Sequence, residues 1–163
     1  MEQTTKQINQ VITPAELLKH WQGHRDLTRR VIEAFPEDQF FSFSIGGMRP
    51  FSAMVMELLG IAVPALKEVV SGKATELNEA INDTKKKENI LQLWDNATEE
   101  INRLWSQIPA EKFHDSIMLF GKYEGAVWSS IFYAIENEIH HRGQGYVYLR
   151  ALGIEPPFFW DRK

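Results

Sequence analysis

The side chains able to do chemistry are concentrated in one run, Glu136-Asn137-Glu138-Ile139-His140-His141-Arg142-Gly143-Gln144, inside a long apolar-periodic segment from about Glu124 to Leu152. At 100° per residue, Val127, Ile131, Ala134, Ile135, Leu149 and Leu152 share one helical face, and Glu138 and Arg142 fall in the same arc. Asn137 and His141 lie at the edge of that arc, one turn apart and side by side. An imidazole, a carboxylate and a guanidinium beside a core-facing stripe must find partners, because burying any of them alone is costly. Acid–base chemistry is what these residue types allow, beside the plainer role of a structural ion pair.

A second candidate is Glu57, the only ionisable residue between Phe51 and Leu66. An unpaired carboxylate in so apolar a helix would have its pKa raised, or it requires a cation or hydrogen-bond donor. The remaining histidines carry less. His20 and His24 have the one-turn spacing of a two-histidine metal site, but little apolar shares their face and they read as an exposed pair. His140 points about 100° away from His141, towards solvent or a subunit contact. His114 lies in an irregular stretch. Glu138 and Arg142 are spaced for a same-helix salt bridge that holds the bundle register or borders a pocket. Trp21, Trp94, Trp105, Trp128 and Trp160 supply core and interface mass, with one or two free to line a pocket.

Four helices must position these groups. Thr13-Pro14-Ala15-Glu16 has the form of a capping box with proline at the first helical position, and apolar residues recur from Leu17 to Phe35 until Pro36 closes the helix. Asp38 to Arg49 reads as a structured loop whose aromatics cap the core. Pro50 to Val70 is apolar around its whole circumference, the mark of a helix surrounded by others, with a kink expected at Pro64. Ser71 to Glu88 is a polar connection, followed by a third helix from Asn89 to Ile108. Glu111 to Gly121 is irregular or a brief strand, and the segment carrying His141 is the last helix, about 40 Å long at 1.5 Å per residue. Beyond Gly153, the tail Ile154-Glu155-Pro156-Pro157-Phe158-Phe159-Trp160 is expected to pack back on the bundle or on a second subunit. The result is an all-α four-helix bundle with one long polar connection, a single domain spanning 1–163.

The bulk numbers agree with that plan. The chain has 163 residues, 44% of them hydrophobic, enough for one core without staples. A net charge of -4 argues against a nucleic-acid partner, since the longest basic run is Lys85-Lys86-Lys87. The absence of Cys excludes disulfides, thiolate metal sites and a cysteine nucleophile. No apolar run approaches the ~20 residues of a membrane span and no secretory signal precedes the first helix, so a cytoplasmic protein is expected.

His140-His141-Arg142-Gly143-Gln144, continued by Tyr148-Leu149-Arg150-Ala151-Leu152-Gly153 and Pro156-Pro157, resembles the end of DinB/YfiT-like proteins, the DNA-damage-inducible family. Gly47-Met48-Arg49 before a buried helix resembles that family's approach to its second helix. The resemblance implies a four-helix bundle, often a homodimer, holding a divalent metal such as Zn or Ni through three histidines, one on the second helix and two on the fourth. Several relatives are thiol-dependent transferases or isomerases. Carried over by position, the last ligand is His141, while Asn137 and Glu57 stand where the pattern has histidine. One imidazole, one carboxylate and one neutral amide are a much poorer set for Zn or Ni, and metal affinity should fall by orders of magnitude or vanish. Two classes follow. One is a metal-dependent transferase or hydrolase acting on a small molecule through Glu57, Asn137 and His141. The other is a metal-free bundle descended from that scaffold, which binds a small ligand or serves as a dimeric interaction protein and in which Glu57 and His141 form an ion pair with Asn137 as third partner.

Overall fold

The computed structural model describes residues 11–75 and 85–163. Thr13 caps the first helix, α1 (Pro14–Ala34), as its sequence requires: its hydroxyl accepts from the Glu16 amide at 3.2 Å and the Glu16 carboxylate accepts from the Thr13 amide at 2.8 Å. Pro36 ends α1 but also opens a second, short helix, α2 (Glu37–Ser42), where the sequence suggests only loop. Glu37 and Asp38 in its first turn complement the helix dipole, and six residues are too few for periodicity to register. Phe40 of α2 is fully buried against Phe35 and Phe51, whose rings stack at 4.9 Å.

The most apolar stretch forms α3 (Phe51–Ser71), which passes through Pro64 and ends at Gly72, held in the left-handed region at φ 69. The part of the polar connection at 76–84 lies outside the described residues. Helix α4 (Lys87–Trp105) and a 3-10 turn (Ala110–His114) follow. The irregular stretch then resolves into an antiparallel hairpin, β1 (Ser116–Leu119) and β2 (Tyr123–Ala126), in the register Leu119 with Tyr123 and Ser116 with Ala126. Because Tyr123 to Ala126 pair as a strand, the last helix, α5 (Val127–Ala151), begins three residues later than its apolar periodicity suggests.

The four long helices close a ring in which α1 packs on α4 and α5, and α3 also packs on α4 and α5. The all-α bundle therefore stands, with the hairpin as a small addition. Its α3–α5 seam is tight because Gly145 leaves room for Phe51: a Cβ on residue 145 would lie 2.6 Å from the Phe51 ring. Apolar residues form two clusters, one around Trp21, Leu66, Trp105 and Ile131, the other around Phe35, Met54, Trp94 and Tyr148. The polar residues of α1 and α5 lie between them in sequence, at 24–28 and 137–142. After Gly153 (φ 75) the chain turns back along α1, where Arg30 pairs with Asp161 and the Arg162 guanidinium lies 3.0 Å from the His24 ring. The tail does pack on its own bundle, yet Phe158, Phe159 and Trp160 remain exposed. Among the described residues, no helix is long and apolar enough to cross a membrane.

Candidate functional site

Because α3 and α5 are neighbours, the lone acid of α3 meets the polar run of α5. The Glu57 Oε1 atom lies 3.1 Å from His141 Nε2 and accepts from Asn137 Nδ2 at 3.2 Å. Its other oxygen accepts from Arg49, which stands just before the start of α3. His141 is buried, Glu57 nearly so, and Arg49 is about half exposed. The residues expected to share a site are thus together, but sequence reasoning missed the cation. Arg49 carried one readable signal: it precedes Pro50, which keeps its backbone out of the helical region.

A further partner also went unrecognised. Gln144, one turn beyond His141, places Oε1 2.8 Å from His141 Nδ1, while its amide contacts the Met48 sulfur at 3.6 Å. Tyr148 donates to the Arg49 carbonyl at 3.0 Å, fixing the segment that carries the guanidinium. Both ring nitrogens of His141 therefore have a side-chain partner within hydrogen-bond distance, which fixes the ring in the seam. Burial works to raise the Glu57 carboxyl, but hydrogen bonds from Arg49, His141 and Asn137 together with the His141 charge hold it below the ordinary carboxylate value. The alternative of requiring a donor, rather than a raised pKa, is the one realised.

Beside this cluster is a cavity of about 280 Å³. Glu57 and Ile61 contribute to it from α3, Phe120, Tyr123 and Glu124 from the hairpin, and Ser129, Ser130 and Tyr133 from α5. Among the described residues no tryptophan lines it; Trp128 instead borders an apolar groove beside Pro14 and Phe113. The match to the DinB family runs over residues 1–161. The chain belongs to the DinB family. Among solved structures it resembles a DinB-like protein from Bacillus subtilis at 22% identity and TM-score 0.70, covering 90% of this chain and 99% of that one. It also resembles a DinB-like protein from Bacillus cereus at 14% identity and TM-score 0.73, covering 90% and 97%. At such identities these likenesses speak to fold. No curated protein matches the chain.

The donors of this DinB protein do not suit a Zn or Ni centre. Asn137 presents an N–H, not its carbonyl, to Glu57, and Arg49 already neutralises the carboxylate. That leaves one imidazole nitrogen and one carboxylate, short of the three protein ligands a catalytic zinc site uses. Among the described residues, no group of three or more His, Cys, Asp or Glu side chains could hold a metal ion.

The other polar residues of α5 belong to a separate, buried layer against α1. Glu138 accepts from Thr28 at 2.6 Å and from Trp21 at 3.4 Å, with Arg25 and Arg142 each at 3.8 Å. The expected Glu138–Arg142 bridge is therefore a long member of a larger network. Arg142 also donates to Thr28 at 3.0 Å and reaches His24 Nδ1 at 2.9 Å. His24 is buried, which corrects its reading as exposed: its Nε2 lies 3.2 Å from that of His20, and the returning tail covers it. Burial, then the charges of Arg142, His20 and Arg162, push the His24 pKa down to about 3. Neutral His24 can accept from Arg142, so this layer locks α1 to α5. Sequence spacing placed the two histidines on one face but could not show that the C-terminal segment lies over it.

Proposed function

We propose that this chain is a small-molecule-binding DinB protein whose altered site works without a divalent metal, the metal-dependent transferase activity suggested by the resemblance having been lost. One observation carries this reading: every group at the position of the expected metal has a protein partner, with Arg49, Asn137 and His141 converging on Glu57 beside an accessible cavity. The cavity approaches the size of small-ligand sites and combines apolar walls with a few polar groups, the usual composition of such sites. Glu57, the member of the cluster that lines the cavity, would orient a ligand at its wall, while His141 and Asn137 hold the carboxylate in place from α5.

The competing reading, a divalent metal held by Glu57, Asn137 and His141 in a thiol transferase or hydrolase, is favoured by one distance. The His141 imidazole and the Glu57 carboxylate, 3.1 Å apart, would be the protein ligands of such an ion, which would supply a bound water of lowered pKa. Metal analysis of untagged protein purified without added metal separates the two. Our proposal expects no stoichiometric Zn, Ni, Fe or Mn, and no change in Tm with EDTA or nickel. Stoichiometric metal, or a Tm that falls with EDTA, would sink it. A homodimer is part of the same proposal, supported by the exposed Phe158, Phe159 and Trp160, and light scattering on the full chain tests it.

A further inference from the structure

The charged groups lining the cavity beside Glu57 are Glu57 and Glu124, and among the described residues no Lys, Arg or His side chain lines it. Arg49 and His141 meet the Glu57 charge from outside the lining, so the unpaired charge of this wall is that of Glu124. The remaining wall includes the rings of Phe120, Tyr123 and Tyr133 and the hydroxyls of Ser129 and Ser130. Tyr123 and Tyr133 are more than half exposed, leaving ring surface open to a ligand.

From these groups we infer that the cavity binds a small organic ammonium ion, a primary amine carrying one ring or a short apolar chain. The inference rests on the reading of this cavity as the ligand site and adds the chemical class. A carboxylate offers about four acceptor positions, and Arg49, Asn137 and His141 occupy three on Glu57, leaving one for a ligand N–H. Glu124 is exposed, and no ion pair of the described residues involves it. An ammonium group that takes the open position on Glu57 gains the attraction of the unpaired Glu124 carboxylate and of the aromatic faces, whereas a carboxylate ligand meets the unpaired like charge of Glu124. The hydroxyls of Ser129 and Ser130 accept the remaining ammonium hydrogens, and the rings cover the apolar body.

Calorimetric titration of the full chain with phenethylamine, phenethyl alcohol and 3-phenylpropionate tests this, since the three share a body and differ in charge. The amine should bind about tenfold tighter than the alcohol, with the carboxylate weakest. Glu124→Gln, an exposed change whose folding is checked by its melting curve, should weaken the amine several-fold and leave the alcohol unaffected. Equal binding of amine and alcohol, or no effect of Glu124→Gln on the amine, overturns the ammonium inference and leaves the cavity as a ligand site. Tightest binding by 3-phenylpropionate overturns it in favour of an anion at the start of α5. Binding of none of the three overturns both readings.

Discussion

His141 Nε2 on α5 and Glu57 Oε1 on α3 lie 3.1 Å apart, joining the polar run of the last helix to the single acid of the most apolar one. The carboxylate satisfies three donors, so its removal strands an imidazole and an amide within the seam. Glu57→Ala should therefore cost about 1–3 kcal/mol in urea unfolding, below the cost of breaking a fully buried pair because Arg49 is about half exposed. The folded carboxyl sits below its ordinary value of 4.5, so its contribution is complete above that pH and lost as pH falls through the folded value. Wild type should lose stability below about pH 5 more steeply than Glu57→Gln. Parallel pH profiles for the two would mean that the pair contributes nothing.

His24 also loses its contribution as pH falls, but over a higher range. Its folded pKa, about 3, lies below the ordinary 6.5, so the unfolded chain takes up a proton that the folded ring refuses. Stability is therefore full above about pH 6.5 and declines as pH falls towards 3. Gln at this position keeps an acceptor for Arg142 but does not titrate. Between pH 7 and 5, His24→Gln should lose measurably less stability than wild type in denaturant titrations, and an equal loss would show that His24 is protonated in the folded protein.

Gly145 sets how closely α5 approaches α3. An added Cβ at 2.6–3.0 Å from three Phe51 ring atoms forces the ring to move, and Phe51 is fully buried among Phe35 and Phe40. Gly145→Ala should destabilise by about 1–3 kcal/mol despite the better helix propensity of alanine. Phe51→Leu in the same chain should recover part of that loss. A neutral Gly145→Ala would mean that the seam is looser than these distances.

How much of this was legible in the sequence depended on the range of the interaction. The helices of the bundle, the Thr13 cap and the arc shared by Asn137, Glu138, His141 and Arg142 follow from periodicity and local chemistry. That Glu57 and His141 meet followed from the bundle, because two polar positions on apolar helices have few places to go. What escaped was set by chain segments with no period. Arg49 reaches Glu57 from a loop, the C-terminal segment covers His24, and the hairpin that builds the cavity is too short and mixed to announce itself. The short helix α2 escaped for the same reason, its one buried ring being Phe40.

Glu68 links that hairpin to α3. It is buried, and its two oxygens accept from the Phe120 amide at 3.2 and 3.1 Å, while Oε2 also accepts from the Thr75 amide at 3.2 Å. Phe120 has φ 54, a conformation that disfavours a bulky side chain, so the turn depends on being held. Glu68→Ala removes the acceptor from both amides and leaves an apolar void beneath the turn. Amide exchange at Phe120 should then accelerate at least about tenfold, the ratio for roughly 1.4 kcal/mol of lost protection, while amides in the middle of α5 slow or speed only with global stability. Because Phe120, Tyr123 and Glu124 line the cavity, phenethylamine binding should weaken in the same variant even though Glu68 does not line that cavity. Unchanged exchange at Phe120 would show that the β1–β2 pairing alone holds the turn, and that the cavity wall does not need its anchor on α3.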